Sequence, residues 1–192
     1  MAIASSAAHP NSRNWFRMRT DLMPEPPALP GCQQLSETPD MVRALLEGLT
    51  GEQVLIKASP GELSIAEILE LLSHSESHGF RMLFDSMISE DSPALPNYDA
   101  RALSLAGQYS HRDPEDSLAH WEEQREDNLA WLDSLPAEAA GRIGQHARLG
   151  RISVAQLLNA WAFHDLGCLG RIIQIVGRLR YYPQMGPLQA QE

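Results

Sequence analysis

The sequence predicts an all-α protein, a four-helix bundle with a long connection between its second and third helices. Three observations predict it. Apolar residues recur at helical spacing in four segments, each segment opens on a helix-start signal, and strand alternation is confined to one short candidate, "QVLIK", Gln53 to Lys57. Long amphipathic helices with two long connections bury their apolar stripes best against each other.

The chain begins with small and polar residues and then "PEPPALPG", whose prolines favour an extended, solvated segment. Residues 1–35 therefore read as a disordered tail, 36–187 as the bundle and 188–192 as a C-terminal tail. The first helix is signalled by "TPDMVRALLEGLTG". Thr38 suits the N-cap, Pro39 the first helical position and Asp40 the positive end of the helix dipole. Val42, Leu45, Leu46 and Leu49 make its stripe, and Gly51 suits the stop.

The second helix, "SIAEILELLSHSESHGFRMLFDSMIS", opens on a capping box of Ser64 and Glu67. Ile65, Ile68, Leu69, Leu72, Leu83 and Met87 carry its apolar face. "EDSPALPNYDARALSLAGQYSHR" follows, a connection long enough to be functional or partly helical, able to cover a pocket or to mediate dimerisation. The third helix starts at Asp113 and Pro114. Leu118, Trp121, Leu129, Leu132 and Leu135 form its inner face, and Arg125 and Asn128 share that face. A second capping box, Ser153 with Gln156, opens the fourth helix, which runs to Arg180 before Pro183 enforces the stop.

Composition narrows the function. The chain has 192 residues, is 43 % hydrophobic and 21 % charged, and carries a net charge of −10. That charge argues against nucleic acid as a partner, since a basic surface is needed to displace counterions, and against an anionic membrane. Two distant cysteines, Cys32 and Cys168, make no disulfide scaffold and suit a reducing compartment. The start lacks the apolar core of a signal peptide and no run reaches membrane-spanning length, so a cytoplasmic location is expected. No Ser-His-Asp arrangement, phosphate loop or dinucleotide fingerprint is present.

The chemistry concentrates on the fourth helix. Leu157, Trp161, His164, Cys168, Ile172 and Ile175 advance by three or four residues and share one stripe. His164 and Cys168, one turn apart, can both reach a single zinc or nickel ion, but a third ligand must come from another helix. Each residue also has a plain structural reading. His164 can be a hydrogen-bonded core histidine, and Cys168 a small buried hydrophobe. Arg125, charged within an apolar stripe, must be paired. Either Glu76 or Asp165 can serve as its internal partner, or it can anchor a substrate anion.

"SIAEILELLSHSE" followed by "HDLGCLGRIIQI" resembles the DinB/YfiT-like superfamily of bacterial four-helix bundles, as do "LPNYD", "LGRISVAQLL" and the closing "YYPQMGP". The resemblance spans roughly residues 38–187. It implies a divalent-metal centre, zinc or nickel, held by a histidine of the second helix and two of the fourth. It also implies thiol-dependent transferase or hydrolase chemistry with a low-molecular-weight thiol, and a homodimer. Two of the three ligand positions depart from that pattern. The second-helix histidine falls on Leu71, and the last on Cys168; only His164 is kept, with Asp165 beside it.

Thiolate is a good zinc ligand, whereas leucine is none. His74, which shares a helix face with Leu71 and His78, is the substitute third ligand to look for; Glu76 fits the family's motif glutamate but is expected to point away from that face. Around this centre Leu71, Arg125, Glu76, Asp165 and Trp161 are expected to line a pocket. Two functions follow: a small-molecule binding or interaction module whose metal site is lost or rearranged, or a metal-dependent thiol transferase or hydrolase using His164 and Cys168.

Overall fold

A computed structural model of the chain describes Leu29 and residues 31–97 and 113–191. The long helices are α1 (Cys32–Leu46), α3 (Ile65–His74) continuing through a π-helical stretch (Ser75–Arg81) into α4 (Met82–Ser89), α5 (Pro114–Asp133) and α6 (Val154–Arg180). A single turn, α2 (Gly51–Val54), follows α1. Among the described residues three short strands complete the fold: β1 (Ala94–Leu95), β2 (Ile143–His146) and β3 (Gly150–Ser153).

Both predicted capping boxes form: the Ser64 and Ser153 hydroxyls accept from the backbone N–H of Glu67 and Gln156, whose side chains accept from the cap N–H in return. Asp113 caps α5, accepting from the Glu115 N–H, with Pro114 opening the helix. The first helix differs from expectation. It starts at Cys32, not Thr38, so residues 32–35 belong to the bundle; residues 1–28 and 30 of the expected tail lie outside the described residues. Pro39 sits inside α1, and the Thr38 hydroxyl donates to the Gln34 carbonyl instead of capping.

The helix stops before Gly48, which has φ +75°, while Gly51 opens α2 behind its own capping box of Thr50 and Gln53. That turn takes up the first two residues of "QVLIK", which forms no strand. Strands occur where periodicity gave no warning. β2 and β3 form an antiparallel hairpin and β1 joins β2 in parallel. A Cβ at Gly144 would lie 2.6 Å from Leu95 Cδ1, so a larger residue there would have to displace the Leu95 side chain.

α1 packs on α5 and α6, and α3 with the π stretch packs on the same two. The apolar core comes in two clusters, and each long helix contributes to both. One holds Val42, Leu69, Leu72, Trp121, Cys168 and Ile172; the other holds Leu35, Phe84, Met87, Leu132, Leu158 and Trp161. Reading residue numbers from one cluster to the other, α1 and α6 run one way and α3–α4 and α5 the other. The α4–α5 connection therefore joins opposite ends of the bundle, roughly 30 Å apart for a twenty-residue helix. Residues 98–112 of that connection, including its expected pocket-covering or dimerising part, lie outside the described residues.

Candidate functional site

Between the two apolar clusters lies a buried polar layer to which every long helix contributes. Arg125 of α5 is its centre, 1 % exposed, with Glu76 and Asp165 at 0 %. Its Nε donates to Glu76 Oε1 at 2.8 Å and its Nη2 donates to the same oxygen. Nη1 donates to Asp165 Oδ2 at 2.7 Å and to the Leu35 carbonyl at 2.6 Å, and Nη2 also reaches Asp165 Oδ1 at 3.2 Å. A guanidinium has five N–H donors, and these five bonds use them all.

The Leu35 bond explains a helix-interior proline. Residue 39 would normally donate its N–H to the carbonyl four residues back, but Pro39 has none, which orphans the buried Leu35 oxygen. Arg125 takes the place of the missing N–H. Glu76 is satisfied from further donors: Asn128 Nδ2 at 2.7 Å on Oε2 and Trp121 Nε1 at 3.2 Å on Oε1. Arg81 Nη1 in turn donates to Asn128 Oδ1 at 2.9 Å.

Glu76 faces inward and, as expected, away from the Leu71–His74 face. It follows Leu72 by one turn and so lies on the core stripe of Ile65, Leu69 and Leu72, not on the Leu71–His74 face. The π-helical stretch that begins one residue earlier widens the helix at this level; such bulges are frequent at functional sites. The Arg125 guanidinium holds Asp165 below the usual carboxylate range, although burial alone would raise it.

His164 borders the layer. Its Nδ1 lies 3.9 Å from Asp165 Oδ1, too far for a hydrogen bond, and has no other partner among the described residues; its Nε2 is 3.8 Å from Cys168 Sγ. Burial works against charge on this ring, whose side chain is 23 % exposed. Asp165 and the Cys168 sulfur work the other way and prevail, raising its pKa to about 9. With Nδ1 unbonded, the carboxylate acts through its field: the layer sets two carboxylates against one guanidinium, and an imidazolium balances the excess.

The expected ligand trio of His164, Cys168 and His74 does not assemble. Among the described residues no three His, Cys, Asp or Glu side chains converge on a metal position. His74, half-buried on α3, stacks on His78 with ring centroids 4.7 Å apart, and Leu71 is packed in the core at 3 % exposure. Burial, and next the neighbouring His78, lower the His74 pKa. Of the residues expected to line a pocket, Leu71, Arg125, Glu76, Asp165 and Trp161, each is buried. Trp161 stacks on Phe80 at 5.1 Å, and its indole N–H has no partner. Both cysteines are free and buried; burial raises the Cys32 pKa to about 11.

A buried arginine, two carboxylates and a histidine on a four-helix frame define a class: bundles with a polar centre built from facing helices. The chain belongs to the DinB superfamily, whose family model matches residues 34–167. Among solved structures it is similar to YfiT from Bacillus subtilis, described as "a probable metal-dependent hydrolase with an unusual four-helix bundle topology". The two share 23 % identity over 77 % of this chain and 85 % of the other, with a TM-score of 0.68, a likeness of fold. No curated protein matches.

Sequence reasoning singled out Arg125, Glu76, Asp165, Asn128, Trp121 and His164 but missed Arg81 and the Leu35 carbonyl, whose signal was the proline four residues on. Removing one partner of such a layer strands the others. Arg125→Met is expected to cost about 3–5 kcal/mol of unfolding free energy in urea titrations, and Arg125→Met/Glu76→Leu/Asp165→Leu to recover part of it, the Leu35 carbonyl, the Asn128 amide and the Trp121 N–H staying unpaired. Recovery that fails while the triple variant stays folded would contradict the layer as drawn.

His164 gives a pH dependence. Its folded pKa lies above the ordinary 6.5, so its stabilisation is complete below about pH 6.5 and is lost as pH rises through about 9. Unfolding midpoints measured from pH 6 to 10 should fall across that window, and His164→Gln should flatten the fall.

Proposed function

We propose that this chain is a small-molecule binding or interaction module of the DinB superfamily, in which the metal centre implied by the resemblance is lost. One observation carries the reading. Where a second-helix ligand would stand, Leu71 contributes hydrocarbon, leaving His164 and Cys168 as the donors of that motif among the described residues. Two donors do not fit a closed or catalytic zinc site, which needs at least three from the protein. Arg125 has no N–H left for a substrate anion.

One distance favours the alternative, a zinc- or nickel-dependent thiol transferase or hydrolase. The 3.8 Å between His164 Nε2 and Cys168 Sγ is the separation of two ligands on one tetrahedral zinc, about 3.5–4 Å from the usual bond lengths. Elemental analysis of protein purified without a metal-affinity tag, followed by zinc and nickel titration, decides between the two. The module reading expects no stoichiometric metal and no uptake at micromolar zinc. One equivalent, lost in both His164→Ala and Cys168→Ala, would establish the alternative.

The outer face of α6 supports a homodimer. Phe163, Leu166 and Ile173 are exposed at 78 %, 48 % and 54 %, and Gly170 between them has nothing near its Cβ position. An antiparallel two-fold pairing sets Phe163 against the partner's Ile173 and Leu166 against the partner's Gly170, large on small. Arg171, Arg178 and Arg180 all lie in the C-terminal half, so this direction keeps the two copies' positive charges apart. Sedimentation should give a dimer that Phe163→Asp converts to a monomer; a native monomer would rule the pairing out.

A further inference from the structure

From a cavity at the other level of the bundle, away from His164, we infer a binding site for a small apolar amine. The inference deepens the module reading and rests on it. The cavity, about 690 Å³, lies where the C-terminal end of α1, the turn α2 and the first turns of α5 meet Leu69 of α3. No residue of α6 lines it, so it is separate from the layer and from the family's ligand positions. Its volume falls within the roughly 300–1,000 Å³ of small-molecule sites.

The lining is two-sided. Leu46, Leu49, Val54, Leu69 and Leu118 give an apolar floor. Among the described residues the charged groups of the wall are mostly acidic: Glu47, Asp113 and Glu115 against Arg43. Two of these charges already have work. Arg43 is ion-paired with Glu122, and Asp113 accepts the Glu115 backbone N–H as the cap of α5. That cap answers the positive end of α5, which would otherwise invite an anion.

The Glu47 and Glu115 carboxylates remain, exposed and with no described partner. The C-terminal end of α1 beside them is already answered by Arg180, which donates to the Glu47 carbonyl, so the preference for a cation rests on the two carboxylates. The chain's net charge of −10 adds long-range attraction of the same sign. An alkyl or aryl body on the leucine floor and an ammonium head at Glu47 and Glu115 satisfy both halves of the lining. A carboxylate or phosphate head would meet like charge there.

The test uses three probes of one chain length, n-octylamine, octanoate and 1-octanol, titrated below their micelle-forming concentrations into the full chain at neutral pH. Binding is followed by calorimetry and by amide shifts. Octylammonium should bind saturably, with shifts at Leu46–Val54 and Pro114–Ala119, and roughly tenfold or more tighter than octanoate, the size of one charge-assisted hydrogen bond. Glu47→Gln/Glu115→Gln should remove that preference while leaving 1-octanol binding in place.

Leu118→Trp, which fills the floor, should abolish binding; Ala44→Trp on the exposed wall is the check should the first variant unfold. No saturable binding, equal affinity for amine and carboxylate, or binding indifferent to the filled cavity would overturn the inference. If that happens while the protein takes up no metal, the ligand class fails and the module reading stands. Metal uptake with octylamine bound would overturn the module reading and leave the cavity site.

Discussion

The structure turns on one guanidinium. Arg125 of α5 bonds a carboxylate on the π stretch after α3, a carboxylate on α6 and a backbone carbonyl on α1, so a single side chain touches all three other long helices. A buried charge costs several kcal/mol unless paired and fully hydrogen-bonded, and here every donor has an acceptor. The cost is then offset only in one relative placement of the helices. The layer is therefore a device for registry as much as for stability: a sliding helix would strand a charge. Its position between two apolar clusters gives each helix a polar stripe residue flanked by hydrocarbon on both sides.

That arrangement also decides what the centre can do chemically. A metal site needs unbonded donors converging on an open position. Glu76 and Asp165, the acidic groups nearest to His164 and Cys168 in the motif, are both bonded to Arg125. Leu71 fills what remains with hydrocarbon. The layer keeps one asymmetry, two carboxylates for one guanidinium, and His164 answers it with an unbonded Nδ1 facing Asp165. Potential for ligand binding is then found at the other end of the bundle, where helix ends and acidic side chains surround an apolar space.

Much of this was legible from residues alone. Both capping boxes, the Asp113–Pro114 start and the inner stripe of α6 followed from spacing and cap chemistry, because those signals are local. Arg125 announced itself as a charge on an apolar face. What escaped were features set by tertiary partners. Pro39 read as a helix start because a proline in the interior is costly, and only the distant Arg125 makes it tolerable. The short hairpin lacks alternation, and Gly144 packs against Leu95, nearly fifty residues away.

The most direct test of the central role of Arg125 is the NMR signal of its side chain. With all five N–H protons bonded and the residue 1 % exposed, its Nε–H and both Nη groups should give separate resonances that exchange slowly with water. Those resonances should persist from acid to alkaline pH and stay unmoved when excess zinc is added. A single averaged guanidinium signal that exchanges as fast as an exposed arginine, or one that zinc shifts, would contradict the account.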